Sequence, residues 1–61
     1  MLDTETKQRA LSRLRRVEGQ VQGVQRMVDE GKYCVDIMLQ ISAIHGALEQ
    51  VSKILMTRHI E

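Results

Sequence analysis

Ala10–Val28, which reads ALSRLRRVEGQVQGVQRMV, sets the fold of this 61-residue chain. Ala10, Leu14, Val17, Val21, Val24 and Val28 recur at spacings that alternate between four and three residues. That is the seam of one α-helix packed along another. Upstream, Asp3 or Thr4 can accept hydrogen bonds from the first-turn amides, and downstream Gly31 can adopt the left-handed conformation that ends a helix. The pattern predicts a helix from about Thr4 to Glu30, with Lys32 and Tyr33 as the connection.

Beyond the connection, Ile37, Ile41, Ile44, Leu48, Val51 and Leu55 repeat the same spacing and predict a second helix from about Tyr33 to Ile60. The short joint makes the pair antiparallel. Val35, Met38, Leu39, Ala43, Met56 and further apolar residues of the second helix lie outside that seam, more than one partner helix can cover. A chain of this length buries only about 60% of the surface its unfolded form exposes, and its single cysteine, Cys34, cannot form an intrachain disulfide. The expected architecture is therefore all-α, one domain spanning residues 1–61, assembling as a dimer or larger unit that closes at least a four-helix bundle. Gly19, Gly23 and Gly46 interrupt the helices at about 1 kcal/mol each relative to alanine. A close backbone approach by another helix accounts for them, with drift at exposed positions as the alternative.

The chain has no proline, phenylalanine or tryptophan, which suits a bundle and argues against strands. Its longest apolar run, Ile37-Met38-Leu39, is far short of the roughly 18 residues a membrane span needs, and the start, Met1-Leu2-Asp3-Thr4-Glu5, has no signal-peptide pattern. With a free thiol, a cytoplasmic location is expected. Net charge is only +1, yet Lys7, Arg9, Arg13, Arg15 and Arg16 fall together with no acidic residue between them.

At about 100° per residue, Arg9, Arg13, Arg16 and Gln20 lie within about 60° of one another, about 90° round from the seam. Guanidinium groups in such a row suit phosphate oxygens and guanine edges. The competing reading is a solvated face neutralised by its own acids, for example Glu5 with Arg9 at the i, i+4 spacing. Cys34 and His59 stand twenty-five residues apart on the second helix, about 37 Å along its axis but within about 20° of one face. One chain cannot bring both to one ion. Two copies of the helix crossing antiparallel about a two-fold axis would bring Cys34 of one to His59 of the other. Thiolate and imidazole suit Cu(I), Zn(II) or Ni(II). The alternative is a buried structural cysteine and an ordinary histidine near a helix C-terminus. His45 lies on the same face near mid-helix and reads as packing or interfacial. No carboxylate constellation or substrate-sized pocket accompanies the thiol, so an enzyme is not expected.

The run Arg13-Leu14-Arg15-Arg16-Val17-Glu18-Gly19-Gln20-Val21 with Gly23, then Tyr33-Cys34 and Gln40-Ile41-Ser42-Ala43, resembles the CsoR/RcnR/FrmR family of bacterial repressors. The resemblance covers nearly the whole chain and includes the twenty-five-residue interval from cysteine to histidine. It implies an antiparallel four-helix dimer, two dimers forming a flat tetramer, and a repressor that binds double-stranded operator DNA without effector and releases it when effector binds. It implies Cys34 as thiolate ligand, His59 of the partner subunit as imidazole ligand and Tyr33 as their neighbour. It assigns Arg9, Arg13 and Arg16, with Lys7 assisting, to operator DNA.

Two departures bear on the effector. Copper-sensing members carry a second cysteine four residues after the histidine, which falls beyond Glu61, and the family's usual third helix is missing for the same reason, which favours a C-terminally truncated chain. Persulfide sensors have cysteine at the position of His59. Nickel or cobalt sensors use a histidine near the N-terminus, and formaldehyde sensors an N-terminal proline; this chain has neither. Cu(I) is the effector expected by elimination, with Zn(II), nickel or cobalt, formaldehyde or sulfur species as alternatives. A purely structural helical assembly module is the reading from outside this class.

Overall fold

The computed structural model describes the backbone of residues 2–60 and the side chains of residues 2–57. Asp3 opens α1 (Thr4–Asp29): its Oδ1 accepts the Thr6 amide at 3.1 Å and its carbonyl accepts the Lys7 amide at 3.0 Å. The side chain thus satisfies the Thr6 amide, which the helix itself leaves unpaired, while the carbonyl accepts the first intrahelical bond. At the other end Gly31 takes φ +68°. The Lys32 amide then donates to the Met27 carbonyl at 2.9 Å and the Gly31 amide to the Val28 carbonyl at 3.1 Å, the paired bonds of a Schellman stop. The helix closes at Asp29 with Glu30 as its cap, one residue earlier than the sequence pattern gives.

Tyr33 differs from expectation in the same small way. Its carbonyl accepts the Ile37 amide at 3.2 Å, so it caps the second helix, α2 (Cys34–Ile60), without belonging to it. The described residues are otherwise helical, and the two helices pack side by side as an antiparallel hairpin measuring 45 × 16 × 10 Å.

Neither seam is fully covered, and Leu55 near the end of α2 is half-buried. Ala10 and Val17 of α1 and Ile44 and Val51 of α2 are buried, with Thr6 extending the contact and Val24 and Ile37 half-buried. The intervening positions remain open: Leu14 and Val21 are 37% and 42% exposed, Ile41 and Leu48 38% and 40%. An alternating seam has two columns, and in a two-helix hairpin only one faces the neighbour. The glycines do not mark helix packing within the hairpin, because a Cβ at Gly19 or Gly46 would meet nothing within 4 Å and one at Gly23 only the Arg26 side chain at 3.8 Å.

Gly31 and Gly46 should therefore respond in opposite directions to alanine. Gly31→Ala places a Cβ on a left-handed residue and lowers stability by about 1–2 kcal/mol, whereas Gly46→Ala, in open space on a helix, raises it by about 1 kcal/mol. Chemical denaturation of the two variants at equal protein concentration checks the pair; a destabilised Gly46→Ala would mean that another helix packs on that position.

Candidate functional site

The basic row lies at the junction of the helices. Arg9, Arg13 and Arg16 are exposed and, with Gln8, Ser12, Gln20 and Ala47, line an open groove of about 620 Å³ between α1 and α2. The groove runs on past Arg9 into a smaller depression lined by Thr6, Gln50, Lys53, Ile54 and Thr57. Small and apolar side chains on the α2 side, Ala47 and Ile54, let the two helices approach while the long basic side chains of α1 stand at the rim.

The row is not neutralised from within. The ion pairs among the described residues are Lys32 with Glu30 at 4.0 Å and Lys53 with Glu49 at 3.8 Å, both between exposed side chains. Glu5 makes none with Arg9, so the solvated-face reading loses the pairing on which it rested. At the groove floor Gln20 Oε1 is shielded from solvent with no hydrogen-bond partner. A buried acceptor left unpaired costs stability, so this is a point where the hairpin still wants a donor from outside.

Lys7 is exposed but does not line the groove; helix geometry puts it about 120° or more round α1 from Arg9, Arg13 and Arg16. Lys53, which sequence reading passed over, stands beside Arg9 instead. Its signal was available in principle, as the polar position next to Ile54, but only once the azimuth of α2 against α1 was known.

Cys34 is the first residue of α2, exposed and free of any disulfide. Its neighbour Tyr33 is 69% exposed. His59 lies in the last turn of α2, and its side chain is outside the described residues. The two therefore sit at opposite ends of a body 45 Å long, and no group of three histidine, cysteine or acidic side chains able to hold a metal forms among the described residues. A thiol at one tip and an imidazole at the other can share an ion only between copies. His45, midway between them, is exposed.

No helix among the described residues is long and apolar enough to cross a membrane. Among proteins of known function, the chain is 49% identical over 57 residues to the copper-sensing transcriptional repressor RicR of Mycobacterium tuberculosis, covering 93% of this chain and 59% of that protein. It is 47% identical over 53 residues to the copper-sensing transcriptional repressor CsoR of Bacillus subtilis, covering 87% of this chain and 52% of the relative. The chain thus spans between half and three-fifths of the length of these relatives. A crystal structure of the copper-sensing repressor CsoR with Cu(I) from Geobacillus thermodenitrificans superimposes with a TM-score of 0.91 at 48% identity, over 98% of this chain and 62% of the other. An E64H variant of the formaldehyde-responsive regulator FrmR from Salmonella enterica serovar Typhimurium reaches the same TM-score at 33% identity, over 98% of this chain and 67% of that one. A family model described as metal-sensitive transcriptional repressor matches residues 6–61, and with relatives this similar the chain belongs to that family.

Proposed function

We propose that the chain is the metal-sensing and DNA-binding unit of a Cu(I)-responsive repressor, which holds operator DNA in its metal-free form and releases it when the metal binds. The observation that carries this is the naming of relatives 47% and 49% identical to it as copper-sensing repressors. The fold alone does not select the effector, since a formaldehyde-responsive regulator shares it equally well. Donor chemistry is compatible without deciding it: a thiolate with an imidazole suits Cu(I), Zn(II) or Ni(II), the thiolate favouring the softer ions, and the copper-sensing relatives favour Cu(I) among these.

In this reading Cys34 supplies the thiolate and His59 of the partner subunit the imidazole, with Tyr33 packed beside the thiolate. Two copies meet along the uncovered columns, Leu14 and Val21 on α1 and Ile41 and Leu48 on α2, to close a four-helix bundle that pairs again into a tetramer. Such a contiguous apolar edge on so small a chain is what association would cover. The repressor acts on the chromosome and so in the cytoplasm.

Arg9, Arg13 and Arg16 supply the contacts to operator DNA. They span about 10 Å of helix, about three base-pair steps of duplex, and stand free of internal acids to take phosphate oxygens or guanine edges. Lys53 extends the row from α2. Lys7, on another face of α1, contributes through the wider field. Bound metal supplies a bridge between the two ends of paired α2 helices, and every helix of the dimer rests on one of them. For release, the metal must bind the low-affinity arrangement more tightly, so operator DNA must weaken metal binding by the same factor.

Anaerobic titration of the full-length protein with Cu(I) is expected to weaken operator binding in fluorescence anisotropy, and Cys34→Ala to abolish that response while the metal-free affinity stays within about threefold. Absence of any copper effect at full occupancy would sink the copper assignment. Replacing Arg13 and Arg16 together by alanine should weaken operator binding and make its logarithmic salt dependence shallower by about 2, close to one phosphate contact per residue in each binding unit. An unchanged slope would remove both residues from the interface.

A further inference from the structure

We infer that His45 and Glu49, meeting their counterparts across the dimer axis, form a second cation site that takes a zinc-class divalent ion and is separate from the thiolate site. The inference rests on the antiparallel pairing of α2 helices proposed above, and its first step is the register that pairing imposes. If Cys34 meets His59 of the partner subunit, the two-fold passes midway between them, beside Gly46 and Ala47. At about 1.5 Å per residue, His45 and its symmetry mate then lie about 4.5 Å apart along the helix axes, and His45 stands within about 1.5 Å of the level of the partner's Glu49.

Azimuth agrees with level. Cys34 and His59 define the face of α2 turned to the partner; His45 is about 20–40° from them and Glu49 about 40° further in the same sense. Ile41 and Leu48, 38% and 40% exposed in the hairpin, share this face. A two-fold relating antiparallel neighbours keeps one side of the interface on the same side in both copies, so both histidines and both glutamates gather on it. Side chains reach about 5–6 Å from a helix axis and packed axes are about 8–10 Å apart, so the four groups converge near the midline.

The chemistry of the set follows. Two imidazoles and two carboxylates offer four donors, enough for a tetrahedral zinc-class site. Their two negative charges balance a dication. They contain no sulfur, which separates their preference from that of Cys34. Both side chains are exposed in the hairpin, and the competitor for Glu49 is Lys53 at 3.8 Å, an ion pair between side chains more than half exposed. Such pairs contribute little, and a metal ion would displace it.

The test uses the full-length protein with Cys34→Ala throughout, and with His59→Ala added to it and to every Cys34→Ala variant below, so that both ligands this chain gives the thiolate site are removed. Any thiolate-to-Co(II) charge-transfer band is assigned to that site and set aside. Co(II) is the probe because its ligand-field absorption reports a four-coordinate site. The expected result is one Co(II) per dimer with that absorption, displaced by Zn(II), lost in Cys34→Ala/His45→Ala and weakened at least tenfold in Cys34→Ala/Glu49→Gln. Absorption that persists without His45, or no Co(II) binding at all, overturns the site and leaves His45 and Glu49 as a simple charge pair. A separate variant, Cys34→Ala/Leu48→Cys, checks the register, since the new thiols lie close to the two-fold and should cross-link under oxidation. Cross-linking without Co(II) binding overturns this inference alone; failure to cross-link overturns the pairing beneath it as well.

Discussion

The contact between Ala10 and Val17 on α1 and Ile44 and Val51 on α2 is the constraint from which the rest follows. These are the buried apolar residues of the described hairpin, and they use one column of each seven-residue seam. Fixing that column fixes what lies to either side. Rotated one way from it, α1 presents Leu14 and Val21; rotated the other way, it presents Arg9, Arg13 and Arg16 against Ala47 of α2. A single packing choice thus gives the hairpin an apolar flank and a basic one, so that association and nucleic-acid binding need not compete for the same surface.

Much of this was legible in the chain. Alternating spacings of four and three gave both helices to within a residue at their inner ends, because apolar periodicity is a local property. The caps were legible for the same reason: Asp3 and Gly31 act through their own backbone neighbours. What escaped was the azimuth of one helix against the other. The same pattern is compatible with either column facing inward, so it did not say that Leu14 and Val21 would remain open, that Lys53 would stand beside Arg9, or that Lys7 would stand away from it. The glycines show the same gap, since within the hairpin no helix packs on Gly19 or Gly46 and the pattern does not say whether another copy does. Loss of helix propensity shows that a residue is tolerated, but not what lies across from it.

The candidate metal centre divides in the same way. Helix rise alone shows that Cys34 and His59 cannot share an ion within one chain, and the structure repeats that conclusion in a body 45 Å long. Residue type gives the donor softness. The pairing across copies, by contrast, depends on surfaces that no single chain contains. The solvated alternative for the arginine row was equally open in the sequence, where Glu5 stands four residues before Arg9. The pairing it invoked is absent in three dimensions, where the two side chains do not meet.

An interface that is also a ligand site has a consequence for control. The open column of α2 holds Ile41 and Leu48, so covering it brings stability that the four-residue core of the hairpin cannot supply alone. In the pairing proposed here, Cys34 and His59 flank that column at its two ends. A metal bridging them acts on the helix through which α1 is held, and α1 carries Arg9, Arg13 and Arg16. No separate transmitting element is required, because two packed helices have few ways to respond to a displacement of one end and close packing passes it on. The size of the effect is bounded by the difference in metal affinity between the two arrangements.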